Sequence, residues 1–205
     1  MDILQTIKEE LQVEKWQVEA AVKLIDEGNT IPFISRYRKE ATGSLNDEQL
    51  RDLHERLQYL RNLEEKKQQV LGSIEEQGQL TEELKAKILA AQTLVAVEDL
   101  YRPYRPKRKT RASVAKEKGL EPLAQTILAQ EILTPLEEEA EKYISEEKGV
   151  ATAQEALQGA MDILAEQVSD EADYRTYIRQ ATTDEGLISS EAKDEKAQTV
   201  YEMYY

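Results

Sequence analysis

The chain has 205 residues, 40% hydrophobic and 33% charged, with 27 basic against 41 acidic side chains and a formal charge of −14. That is enough length and apolar content for a buried core, and eight glycines and five prolines are too few for a disordered or all-β chain. With no cysteine there is no disulfide framework, thiol nucleophile or zinc–thiolate site, a composition compatible with a reducing cytoplasm.

Helical periodicity runs nearly from end to end. Ile3, Leu4, Ile7 and Leu11 form a first apolar stripe, with Asp2 and Gln5 as a capping box. Trp16, Val18, Ala21, Val22 and Ile25 form a second, stopped at Gly28-Asn29. Thr30 caps a short third helix with Pro32 in its first turn and Phe33, Ile34 and Tyr37 on its apolar side. Three short helices before Gly43 resemble a helix-turn-helix unit. Asn46 and Gln49 then make a capping box for a long helix carrying Leu50, Leu53, Leu57, Leu60, Leu63, Val70 and Ile74, closed by Gly78. Unbroken from 46 to 76, it would be about 46 Å long, a strut rather than an ordinary globular helix.

Thr81 caps a shorter helix containing Leu84, Ile88 and Leu89. TLVAVEDLY is either a brief helix or a buried extended segment, since periodicity does not separate the two. SVAKEKGLEPLA reads as helix, a stop at Gly119 and a restart at Pro122. Thr134-Pro135 opens another helix with Leu136, Ala140, Tyr143 and Ile144 on one side. Ala153, Ala156, Leu157, Ala160, Met161, Leu164 and Val168 form a strong stripe that Tyr174, Tyr177 and Ile178 are expected to continue, up to Gly186. The last residues, including Val200, Tyr201, Met203, Tyr204 and Tyr205, are bulky and apolar, as expected of a polypeptide that continues. The longest apolar-rich run, ILAAQTLVAV, is far short of the ~20 residues that cross a bilayer, and MDILQTIKEELQ places acids where a secretory signal needs apolar residues.

Catalytic patterns are missing. His54 is the sole histidine and lies on the long helix between Leu53 and Leu57. There is no nucleophile elbow and no glycine-rich phosphate loop. The acid-dense PLEEEAEKYISEE lacks the alternating ligands and turn glycine of a calcium loop, so it reads as a solvated helix face. The expectation is no enzymatic activity, no cofactor and no metal.

One stretch departs from the acidic balance. Residues 101–112, YRPYRPKRKTRA, carry Arg102, Arg105, Lys107, Arg108, Lys109 and Arg111 and no acid. Pro103 and Pro106 bias Arg102 and Arg105 toward extended or polyproline II geometry. At three residues per turn, that geometry puts Tyr101, Tyr104 and Lys107 on one edge and Arg102, Arg105 and Arg108 on the next, each about 9 Å apart. Such a surface suits a sugar–phosphate backbone with a base stacked beside it. A second cluster, Arg36, Arg38 and Lys39, ends the helix-turn-helix-like unit. Two readings stand: phosphate contact by these cations, with stacking by Tyr101 and Tyr104, or a structural strap that pairs internally with acidic helices while the tyrosines cap the core.

The blocks LIDEGNTIPFISRYRKEATGSL and VEDLYRPYRPKRKTRASVAKEKGLEPLA, with LRNLEEKKQQVLGSIEEQGQLT between them, resemble the N-terminal region of the bacterial Tex family of transcription accessory proteins. The resemblance spans essentially the whole chain, and Ser35, where alanine is common, is a small departure. It implies a longer protein: a helical N-terminal region, an RNase H-like domain of the YqgF type, helix-hairpin-helix elements and an S1 domain. It also implies a cytoplasmic role in transcription with nucleic-acid binding.

The chain is therefore expected to be all-α, an elongated multi-helix assembly divided into a helix-turn-helix-like unit (1–43), a long helix with short helices and the basic loop (44–112), a helical bundle (113–186) and a run-in to an RNase H-like domain (187–205). Expected partners are RNA or DNA, the downstream domains of the same chain and a polymerase or ribosome surface, with no membrane. The alternative role is a docking and bracing module with no nucleic-acid contact of its own.

Overall fold

The structure is a computed structural model that describes residues 2–106, 109–131, 134–194 and 200–204. Among the described residues it is all-α, and the sole pairing of extended chain is an isolated bridge between Ser145 and Val150. The chain divides into two compact units, Met1–Tyr104 and Arg105–Tyr205. Segments 1–43 and 44–104 share one core in the first of these, since punctuation by glycine marks the ends of helices and not of cores.

The first unit is arranged around one helix. Helices α1 (Ile3–Leu11), α2 (Lys15–Asp26) and α3 (Ile31–Tyr37) precede α4 (Asp47–Glu76), and α5 (Glu82–Ala90) and α6 (Leu94–Tyr101) follow it. At 30 residues α4 is about 45 Å long. Its start is locked by a complete capping box: the Gln49 N–H donates to the Asn46 side chain at 2.8 Å and the Asn46 N–H donates to Gln49 at 3.1 Å. The box at α1 is half formed. The Gln5 N–H donates to Asp2, but the Gln5 side chain turns to Glu9 instead. TLVAVEDLY resolves as helix α6, capped by the Thr93 hydroxyl, which accepts from the Ala96 N–H.

The buried row of α4 is Leu50, Leu53, Leu57, Leu60, Leu63, Lys67, Val70, Leu71 and Ile74. Its spacing keeps one face turned inward over the whole helix, against Ile7, Val18, Ala21, Ile34, Ile88 and Val97 from the other helices. Lys67 is the exception in kind, with a side chain only 1% exposed. Its ammonium donates to Glu64 at 2.9 Å and to the carbonyl of Leu89 at 3.0 Å. Leu89 lies in the last turn of α5, whose final carbonyls have no partner within their own helix, so the lysine both terminates α5 and complements the negative end of its dipole.

Other polar tips of α4 act in the same way. The Tyr59 hydroxyl accepts from the Leu94 N–H at the start of α6. Lys66 pairs with Glu98 of α6 at 2.6 Å. Arg56 holds Glu10 of α1, and Arg61 holds Asp26 of α2 at 2.7 and 2.8 Å, each through two nitrogens. Both clamps are partly exposed, so each contributes at most about 1 kcal/mol, but their fork geometry fixes where α1 and α2 lie along α4.

The second unit packs α7 (Arg111–Glu117), α8 (Glu121–Ala129) and α9 (Leu136–Glu141) on α10 (Ala153–Asp170), followed by α11 (Ala172–Glu185). The core face of α10 is Ala156, Gly159, Ala160 and Ile163. Gly159 permits the closest approach, because a Cβ there would come within 2.4 Å of Leu120 Cδ1. Tyr174, Tyr177 and Ile178 do not continue the α10 stripe. Glu171 is extended, with ψ near 118°, so the helical phase restarts in α11 and all three side chains are more than half exposed.

Two outcomes follow from the Lys67 arrangement. Removing its partner, Glu64→Ala, leaves a buried ammonium undercompensated and should cost about 2 kcal/mol or more in urea unfolding, whereas Lys67→Met, which removes the charge itself, should cost less. Burial raises the Glu64 carboxyl, but hydrogen bonds and positive charge, those of Lys67 foremost, leave it below the usual range; at Asp26 the hydrogen bond from Arg61 leads, ahead of an opposing desolvation, to the same direction. A folded-state value below the unfolded one means stability present above about pH 4.5 and lost as pH falls further. Urea midpoints measured from pH 7 to pH 3 should drop through that window, and the drop should shrink in Arg61→Gln.

Candidate nucleic-acid interface

The basic stretch crosses from one unit to the next. Tyr101 ends α6, and Arg102–Tyr104 is a short 3-10 helix. Arg102 has φ −53° and ψ −42°, which is helical, so the expected polyproline II edge does not form there. Tertiary contacts override the local bias of a residue before proline. The Tyr101 hydroxyl is 3.0 Å from that of Ser73, the Gln77 amide donates to the Tyr104 carbonyl at 3.0 Å, and both rings pack half-buried against the first core. The aromatic edge is therefore turned inward.

The cations of the stretch differ from one another. Arg102 and Arg105 are exposed, and neither is without a partner. Lys107 and Arg108 lie outside the described residues. Lys109 pairs with Glu117 at 3.0 Å and Arg111 approaches Asp162 at 4.0 Å, although both cations stay largely solvent-facing. Arg111 occupies the first position of α7, where the dipole disfavours a positive charge; the Asp162 carboxylate of α10 offsets it. Lys109, Arg111 and Asp162, with Lys118 and Glu155, line an open cavity of about 470 Å³ together with Val114, Ala115 and Leu120. Three cations share that lining with two carboxylates, which offset much of their charge.

The Arg36, Arg38 and Lys39 cluster is built differently. All three are exposed at the C-terminal end of α3. The Arg38 guanidinium stacks 5.0 Å from the Phe33 ring centre and donates to the Tyr37 carbonyl at 3.1 Å. Among the described residues no carboxylate pairs with Arg36 or Lys39. The turn that follows is rigid. Thr42 is buried and its hydroxyl and N–H both donate to the Arg38 carbonyl. Gln17 of α2 donates to the Thr42 and Gly43 carbonyls at 3.2 and 3.1 Å. Gly43 has φ +62°, and a Cβ there would come within 2.4 Å of the Trp16 ring.

Several residues placed on apolar stripes by periodicity lie outside the core, among them Met161 and Val168 of α10 and, beside the cation cluster, Trp16 and Tyr37. Trp16 is 52% exposed and Tyr37 66% exposed. The signal for Trp16 was present: at 3.6 residues per turn it lies about 160° around α2 from Val18. Tyr37 pairs with Phe33 at a ring-centre distance of 5.3 Å, on the flank of α3 beside the buried Ile34. Among the described residues there is no cluster of three or more potential metal ligands, and no helix is long and apolar enough to cross a membrane. His54 contacts the Gln58 side chain at 3.1 Å, an ordinary contact one helical turn away.

Comparison with known proteins matches residues 1–75 to the Tex-like protein N-terminal domain and residues 132–205 to the Tex central region-like family. YdcI of Bacillus subtilis is 50% identical over 204 residues, covering 98% of this chain and 28% of that protein. The transcriptional accessory protein Tex of Neisseria gonorrhoeae is 47% identical over 196 residues, 96% of this chain and 26% of that one. The human S1 RNA-binding domain-containing protein 1 is 32% identical over 180 residues, 87% of this chain and 18% of its own length. The chain thus spans roughly a quarter or less of the length of the curated relatives it matches.

The inward placement of Tyr101 makes its hydroxyl structural. Tyr101→Phe should lower stability by about 1 kcal/mol, the net value of one partly buried hydrogen bond, as read from the urea midpoint. The same loss in Ser73→Ala, and no further loss in the double variant, identifies the pair as the cause.

Proposed function

This chain belongs to the Tex family of transcription accessory proteins, and from that premise we propose that it is a helical scaffold which adds sequence-independent contact with nucleic acid during transcription. The observation that carries the contact is the Arg36, Arg38 and Lys39 cluster, displayed on a rigid turn and open to solvent on a chain of charge −14. At physiological salt, screening acts over ~8 Å, so such a patch attracts a polyanion that the whole molecule would repel. Evenly spread cations address phosphates before bases, which makes the contact non-specific. Arg102, Arg105, Lys107, Arg108, Lys109 and Arg111 form its second part. We assign the chain no catalytic role. RNA association of the longer protein is in keeping with the name of the human relative, and its downstream domains, with a polymerase or ribosome surface, are the proposed partners in a cytoplasmic setting.

The second reading is a bracing module without nucleic-acid contact. The pairs Lys109–Glu117 and Arg111–Asp162 favour it for the 101–112 stretch, and the helix ends held by α4 are in keeping with it.

A salt titration with an end-labelled oligonucleotide separates the two. Affinity should fall steeply with salt, and replacing Arg36, Arg38 and Lys39 together by Ala should reduce the log–log slope by about 2, near 0.7–0.9 per phosphate contact. Replacing Arg102, Arg105 and Arg108 should reduce it again if that stretch takes part. A chain with no measurable binding at low salt leaves the bracing role alone.

A further inference from the structure

Trp16 and Tyr37 raise a question that the cation cluster does not answer. A large aromatic ring left half or more exposed forgoes most of the free energy its burial would contribute, and here two such rings bracket one turn. The benzo edge of the Trp16 indole lies against Gly43, at the end of the turn, and Tyr37 immediately precedes its start. Between them stand Arg38 and Lys39, with Arg36 one residue before Tyr37.

The geometry is held before any ligand arrives. Gln17 and Thr42 fix the turn through hydrogen bonds to its backbone. Phe33 fixes Tyr37 from one side and the Arg38 guanidinium from another. The stacked guanidinium keeps edge N–H donors beyond the one used on Tyr37. Prior positioning of rings and charge lowers the ordering cost of binding. The acids nearby in the chain, Glu14, Glu19 and Glu40, are exposed as well, so the patch is only moderately cationic and phosphate attraction alone would be weak.

Rings and cations together select for a particular ligand. In a duplex the base faces are already stacked on one another and cannot reach a side-chain ring, whereas an unpaired strand offers both free base faces and a flexible backbone. Resting on the proposed nucleic-acid contact, we infer that Trp16 and Tyr37 are stacking platforms for the bases of single-stranded nucleic acid, with Arg36, Arg38 and Lys39 taking its phosphates. The site is then a single-strand site and not a general polyanion patch.

Trp16 is the sole tryptophan, so its fluorescence reports this site and no other. The 205-residue chain is titrated at low salt with U12, with dT12 and with a twelve-base-pair duplex at matched phosphate concentration, following tryptophan emission and the anisotropy of an end label together. Either single strand should quench Trp16 and bind about fivefold or more tighter than the duplex. Tyr37→Ala should weaken the single strand about fivefold, leave the duplex unchanged and keep the helical circular dichroism; Tyr37→Phe, which keeps the ring, should bind as the parent does. Binding seen by anisotropy with equal affinity for duplex and single strand and no change in emission overturns the inference and leaves the general contact standing. Unchanged single-strand affinity in Tyr37→Ala overturns it too. No anisotropy change with any probe overturns both readings at once.

Discussion

The first unit depends on one constraint: a single long helix supplies both the apolar row that the other helices cover and the polar groups that finish their ends. An α-helix cannot satisfy its own last carbonyls or first N–H groups, and short helices carry a high proportion of such groups. Here α5 ends on the ammonium of Lys67 and α6 starts on the hydroxyl of Tyr59. The 3-10 turn after α6 is held through its Tyr104 carbonyl by Gln77. Apolar packing alone would allow α5 and α6 to slide along α4 at little cost. Hydrogen bonds to defined backbone atoms remove that freedom, and the bidentate clamps at Glu10 and Asp26 do the same for α1 and α2.

Much of this was legible in the sequence, and the failures have physical causes. Asn46 with Gln49, Thr81, Gly78 and Gly119 announced helix ends because caps act locally. The row from Leu50 to Ile74 was legible as periodicity, but Lys67 was not read as part of it. Its identity suggested surface, and only the interval between Leu63 and Val70 hinted that a residue there faced inward. Trp16 failed in the opposite sense, since its apolar character outweighed a helical phase that pointed outward. The 101–104 segment failed because proline bias is a local preference of small size, and the contacts of Tyr101 and Tyr104 come from residues about 28 positions away. Of the candidate site, the cations were visible as composition, whereas which of them face carboxylates depends on Glu117 and Asp162, which no local pattern connects to Lys109 and Arg111.

Net charge describes this molecule poorly. Its acids are spread along helices, many of them paired across a turn or between helices, as Asp47 with Arg51 or Glu98 with Lys66. The cations divide into those that complete such pairs and those, such as Arg36 and Lys39, that face no carboxylate among the described residues. A chain of this family can therefore be acidic overall, discourage self-association through like charge, and still present a small cationic face where a turn projects it.

The enclosure of the Lys67 ammonium has a chemical corollary. Most lysines here are open to acylating reagents at any moment, but this one is sealed between α4 and the end of α5, 1% exposed and bonded to Glu64 and the Leu89 carbonyl. A reagent reaches it only when those helices part. Its slow acquisition of an acyl tag, located by mass spectrometry, would time the breathing of the protein's central joint without any unfolding agent.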